Sequence, residues 1–155
     1  MTPRTSLVPA LLLIALLAGC GGEAPPPVEI LYADFGLVEK NADGTPRFVP
    51  TTILPLREGQ VYAWRLGLRT NQDKIKYTEQ LTLAAPAKWS ITTDRRHEIS
   101  PDRKTITVHR ERDASKGAIS GSWGINADDP PGKASIKITL EGKIEHRFDF
   151  EYRRP

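Results

Sequence analysis

A single cysteine, Cys20, and a single methionine, Met1, are all the sulfur in 155 residues. One thiol forms no disulfide within the chain, so stability has to come from a packed core. Long hydrophobic runs are missing as well. The one apolar stretch, Leu7 to Leu17 with Pro9 inside it, is about half of the roughly 20 residues a helix needs to cross a bilayer. No long stretch places apolar residues at the i, i+3, i+4, i+7 spacing of an amphipathic helix, which removes the helical fold classes. Excess charge is scarce too: 22 Lys and Arg stand against 19 Asp and Glu, a formal net of +3, too slight to argue for nucleic acid. Three histidines, His97, His109 and His146, are too far apart for the short spacings of zinc sites. Past residue 20 there is no Cys or Met to ligate a soft copper ion. Catalytic signatures are equally thin. No Gly-x-Ser-x-Gly elbow occurs, and the nearest approach, Gly117-Ala-Ile-Ser120-Gly121, reads as strand from its alternation.

What is there begins with "LLAGCGGEAPPP", residues 16 to 27, where the lone thiol sits between an apolar run and a proline-rich stretch. One positive charge, Arg4, followed by an apolar run of this length has the form of a secretory signal. Leu17-Ala18-Gly19-Cys20 then resembles the lipobox of bacterial lipoproteins. The resemblance covers the first twenty residues. It implies that Leu17, Ala18 and Gly19 are recognised by a dedicated signal peptidase. It further implies that Cys20 becomes the first residue, carrying a diacylglycerol and a further acyl chain of the palmitate kind. Several acyl chains give the stable membrane attachment that one chain cannot. Gly21 and Gly22 stand where an Asp would signal inner-membrane retention, which implies the periplasmic face of the outer membrane in a cell with two membranes. The alternative is an ordinary secreted protein with a cysteine at its cleavage site. The expected organisation is a signal peptide over 1–19, a lipidated Cys20 with a Gly/Pro-rich tether over 20–27, and one domain over 28–155. The tether would span on the order of 20 Å. Without Arg4 the charges are 21 against 19, a net of +2.

Beyond Val28, period-two alternation dominates. Ile144, His146, Phe148, Phe150 and Tyr152 take one face of a stretch whose other face is Glu145, Arg147, Asp149 and Glu151. Tyr62, Trp64, Leu66 and Leu68 form a second such set, and Ala134, Ile136, Ile138 and Leu140 a third. Less regular strands are expected over 29–38, 47–53, 75–83, 105–110 and 118–125. In the first, the phase changes between Ile30-x-Tyr32 and Ala33-x-Phe35-x-Leu37, as a bulge would cause. Pro50 and Pro55 mark the 47–53 strand as a sheet edge. Seven to eight short strands separated by turn signals predict an all-β, antiparallel β-sandwich. Trp123, Asp129-Pro130-x-Gly132, the alternating strand after it, Gly142 and Phe148-x-Phe150 resemble the closing hairpin of bacterial immunoglobulin-like domains. With "VEILYADFGLV" and "TTILPLREG", the order is also similar to a family of small envelope β-sandwich domains. That resemblance implies an immunoglobulin-like fold and supplies no catalytic residue.

Polar features remain as candidate sites. Arg95-Arg96-His97 and His109-Arg110-Glu111-Arg112, with Lys116 beyond, form one positive patch if their strands are neighbours and ordinary solubilising charge if not. His97 reads as a solvated loop residue and His146 as a hydrogen-bonded histidine on the apolar face of the last strand. Trp89 either caps the end of the core or anchors a partner. Asp128-Asp129 reads as a turn whose carboxylates accept local backbone donors, and no EF-hand pattern follows it. The expected function is a non-enzymatic, lipid-anchored binding or accessory module of the cell envelope. Trp89, Arg95, Arg96, His97, Arg110 and Arg112 are the candidate contacts to an envelope protein or an anionic glycan or lipid. No metal and no cofactor are expected beyond the lipid on Cys20. An envelope hydrolase or carbohydrate-active enzyme is one alternative; an inhibitor or chaperone whose proline-marked edge strand pairs with a client is another.

Overall fold

Strand position follows the alternation closely in the computed structural model, which describes residues 28–91 and 96–155. The apolar run, Leu17 to Cys20, the tether, Asp94 and Arg95 lie outside the described residues. In chain order the strands are β1 (Glu29–Lys40), β2 (Pro46–Pro50), β3 (Ile53–Pro55), β4 (Val61–Arg69), β5 (Lys74–Thr82), β6 (His97–Ile99), β7 (Thr105–Asp113), β8 (Ala118–Gly124), β9 (Gly132–Leu140) and β10 (Ile144–Arg153). They form a four-stranded sheet in the order β2-β1-β4-β8 and a six-stranded sheet in the order β3-β10-β9-β5-β7-β6. Among the described residues no helix is long and apolar enough to cross a membrane.

The strand count is a correction: ten strands among the described residues, not seven or eight. Two short strands account for the difference. The expected 47–53 strand is two strands, β2 on the edge of one sheet and β3 on the edge of the other. Pro50 ends β2, and Thr51 Oγ1 accepts the Ile53 amide at 3.1 Å, turning the chain between sheets. Pro50 and Pro55 thus both lie in edge strands, as proline's missing N–H requires. β3 pairs parallel with β10, and every other pairing is antiparallel. β6, the second addition, carries His97, which is half-buried in a strand and not a solvated loop residue.

The bulge expected in β1 is present, its register with β4 shifting between Ile30 and Tyr32. Beyond it Phe35 and Leu37 point inward, and Phe35 stacks on Phe150 with centroids 4.8 Å apart. Tyr62, Trp64, Leu66 and Leu68 of β4 bury against Ile136, Ile138 and Leu140 of β9 and Phe148, Phe150 and Tyr152 of β10, within one core. The Tyr152 hydroxyl donates to that of Tyr62 at 2.7 Å across the sandwich.

Gly36 sits where β2 leaves β1, opposite Pro50. A Cβ there would collide with the backbone of Val49 and Pro50, which no rotamer change relieves. Gly36→Ala is expected to cost about 1–3 kcal/mol and to loosen β2 selectively. Amide exchange at Phe48 and Val49 faster than in β4 would show it; uniform protection would contradict it.

Candidate functional site

The two sheets differ in width, and the difference creates the site. The narrow sheet ends at β8, whose Trp123 reaches Glu79 on β5, while β7 and β6 continue the wide sheet past that point. Trp89 and Ile91, from the segment after β5, pack on the core. Between the sheets lies a cleft of about 290 Å³, lined by Tyr62, Tyr152, Trp89, Trp123, Arg110 and Asp129 together with Leu81, Leu83 and small polar side chains.

Behind the cleft is a buried carboxylate. Glu79 occupies the inward register of β5 with Ile75, Tyr77 and Leu81 and is 1% exposed. Its Oε1 accepts two indole donors, Trp64 Nε1 at 2.5 Å and Trp123 Nε1 at 2.6 Å. Its Oε2 faces Arg110 Nε at 3.6 Å, an ion pair beyond hydrogen-bond distance. Burial pushes the carboxyl above its ordinary range, opposed by the Trp123 and Trp64 hydrogen bonds and then by Arg110 and Arg112. The Tyr77 hydroxyl is buried, with Arg112 beside it. Burial first, and Glu79 second, push it up to about 12 against the pull of Arg112 and Arg110. Arg110 Nε is also buried and unbonded, though the side chain is 32% exposed. One arginine thus bridges a core carboxylate and the cleft.

At the other wall, Asp129 Oδ2 accepts the Asn126 amide at 2.9 Å, the local turn bond expected of this pair. Burial raises its carboxyl, with the neighbouring Asp128 adding a smaller push. Trp89 Nε1 donates to the Arg103 carbonyl at 2.9 Å, so this tryptophan caps the core and lines the cleft at once.

The basic clusters do meet. β6 pairs with β7, His97 opposite Val108, and the His109 amide donates to the Arg96 carbonyl at 2.9 Å. Arg96, His97, Arg110 and Arg112 line one groove with His109 and Glu111. Alternation nevertheless splits the β7 cluster: Arg110 follows Ile106 and Val108 in the inward phase, while His109 and Glu111 lie outward. Carboxylates interleave it, with His109 Nε2 3.3 Å from Glu98 and Lys74 3.5 Å from Glu111. Arg95, Cys20, Leu17, Ala18 and Gly19 lie outside the described residues. His146 is half-buried, its ring edge-on to Phe148 at 4.5 Å. Among the described residues no three His, Cys, Asp or Glu side chains converge to hold a metal ion. Glu79 is the residue that sequence reasoning missed. Its signal was a carboxylate in the apolar phase of Ile75, Tyr77 and Leu81.

A family model described as the PM0630 beta sandwich domain matches residues 33–153. An immunoglobulin-like protein from Pseudomonas aeruginosa superposes with a TM-score of 0.59 at 14% identity, over 86% of this chain and 100% of that one. The PmoD soluble domain from Methylocystis sp. ATCC 49242 (Rockwell) aligns with a TM-score of 0.39 at 13% identity, over 81% of this chain and 96% of that one. No curated protein matches the chain. The fold is an immunoglobulin-like β-sandwich, all-β as the alternation predicts.

Proposed function

The chain belongs to the PM0630 beta sandwich domain family, and on that premise we propose that it is a non-catalytic binding module of the cell envelope. Cys20 holds it by lipid at the periplasmic face of the outer membrane, and the β6–β7 ledge meets an anionic envelope component. One observation carries this reading: strand pairing places Arg96 and His97 beside Arg110 and Arg112, next to an open inter-sheet cleft. A basic ledge is suited to recognition, since arginine offers a planar fork of donors to carboxylate or phosphate.

Cross-linking in intact cells, with the anchor retained, tests it. A component captured by the native chain should be lost from the Arg96→Gln, Arg112→Gln double variant and released by raised salt. Retention of the same component by that variant would rule out the ledge. Cys20→Ala should move the chain from the membrane to the soluble fraction, and a variant that stays membrane-bound would remove the lipid anchor from the proposal.

A second reading draws on β8. Pro46, Pro50 and Pro55 withhold donors at the β2 and β3 edges, whereas Ala118–Gly124 holds neither proline nor charge and can accept an added strand. Binding of that kind would be competed by an extended peptide and would tolerate salt.

A further inference from the structure

We propose that the inter-sheet cleft binds a single sugar acid, a pyranose ring bearing one carboxylate, as the terminal or exposed unit of an anionic glycan. This rests on the binding-module reading and names a ligand class for it. Size sets the first bound. At about 290 Å³ the cleft is at the small end of the roughly 300–1,000 Å³ of small-molecule sites, room for one ring and not for a chain.

Chemistry sets the rest. Arg110 lies 3.6 Å from Glu79 as an ion pair, and its Nε is buried without a hydrogen-bond partner. A guanidinium with a counter-charge on one side and fork donors left unpaired can take a bidentate carboxylate. Both cleft tryptophans have their N–H groups committed elsewhere, Trp123 to Glu79 and Trp89 to the Arg103 carbonyl. What each indole presents to the cleft is therefore apolar ring surface, which suits the C–H face of a sugar. Asn126, Ser122 and Asp129 also line the cleft, supplying donors and acceptors for hydroxyl groups. Asp129 also selects: a carboxylate in the same cleft repels a phosphate or a polyanion more than a ligand with one negative charge and several hydroxyls. A bare small anion would leave the aromatic and hydroxyl-bonding groups unused, and a neutral sugar would leave Arg110 unused.

The experiment is a titration of the full-length lipidated chain in detergent with glucuronate and galacturonate, with glucose and acetate as comparisons, read by tryptophan fluorescence and by indole N–H resonances. A saturable response to at least one sugar acid is expected, with glucose and acetate weaker by about tenfold or more. Arg110→Lys keeps a charge beside Glu79 but loses the fork, and Trp89→Ala removes one ring surface. Each should weaken sugar-acid binding by about tenfold while the fold, followed by circular dichroism, persists. Equal responses to acetate and glucuronate, or binding that survives both substitutions, would overturn the proposal. Absence of any saturable response to sugar acids would overturn it too, yet would leave the binding-module reading standing. That reading is tested at Arg96 and Arg112, which line the neighbouring groove and not the cleft.

Discussion

Replacing Glu79 with alanine is expected to cost the domain about 3–5 kcal/mol, far more than removing an ordinary surface glutamate. Three losses combine. The Trp64 indole, fully buried, would lose the acceptor it bonds at 2.5 Å, and the Trp123 indole the one it bonds at 2.6 Å. A buried donor left without an acceptor costs about 1–3 kcal/mol. The vacated side-chain volume adds a cavity cost, and Arg110 loses its counter-charge. Glu79→Gln should fall between native and alanine. Its carbonyl oxygen can still accept both indoles, but its amide would turn N–H groups toward Arg110. Denaturant unfolding of the three proteins checks the order. A loss below about 1 kcal/mol for the alanine variant would mean the indoles find other acceptors. The pH dependence has a definite sign. Burial raises the carboxyl in the folded state, so folding is favoured most below the unfolded value near 4.5. That advantage fades as pH rises through the folded value. Glu79→Gln should flatten this part of the stability profile.

Alkali is expected to unfold the protein steeply, because three buried phenols resist ionisation. Tyr62 is pushed well above its ordinary value by burial and then by Tyr152. Tyr152 is raised by burial, with its hydrogen bond to Tyr62 pulling the other way. Tyr77 is pushed up to about 12. In the unfolded chain all three ionise near 10. Their contribution to stability is complete below that value and is lost as pH climbs toward the folded values. Each phenol contributes about 1.4 kcal/mol per pH unit over that range, so three acting together approach about 4 kcal/mol per unit. Phenolate absorption should rise together with the loss of near-ultraviolet dichroism. The Tyr62→Phe, Tyr152→Phe double variant, which removes both ends of the 2.7 Å bond, should flatten the slope by about two thirds. Ionisation of all three well before unfolding would show that these side chains reach solvent in the native state.

The framework was legible wherever one face of a strand is buried and the other wet. β4 and β10 have that form, and in β9 too the inward residues are those that alternation selects, from Tyr62 to Leu68, Ala134 to Leu140 and Phe148 to Tyr152, although Ser135 on the other face of β9, expected outward, is buried because β9 lies between β10 and β5. The β1 phase change identified the bulge because one extra residue flips every side chain after it. Pro50 and Pro55 identified edges because a missing N–H is tolerated there. β3 and β6 were not legible: strands of three residues are too short to show a period. The site was half legible. Clusters rich in arginine can be seen in a sequence, but whether β6 lies beside β7 is a matter of long-range pairing. Relative sheet width, which opens the cleft, leaves no local pattern at all. Glu79 was visible as a violation of its strand's apolar phase, and such violations are where buried function or strain is to be sought.

β1 begins at Glu29, directly after the segment that carries Cys20, and pairs there with Arg69. At its far end Val38 pairs with Val61, and the Val38 carbonyl accepts the Gln60 amide group, close to Ile125 and so to the cleft rim at Asn126. Ten residues of strand, Glu29 to Val38, join the two poles, about 30 Å of chain. In the proposed arrangement, tension between a ligand at the rim and an anchor at Cys20 would run parallel to β1, loading its cross-strand bonds to β2 and β4 in shear. A ladder pulled lengthwise resists with many rungs at once instead of opening one rung at a time, so the geometry that sets the cleft rim and Glu29 at opposite ends of β1 would make the sandwich a stiff mechanical link between a ligand and the proposed anchor.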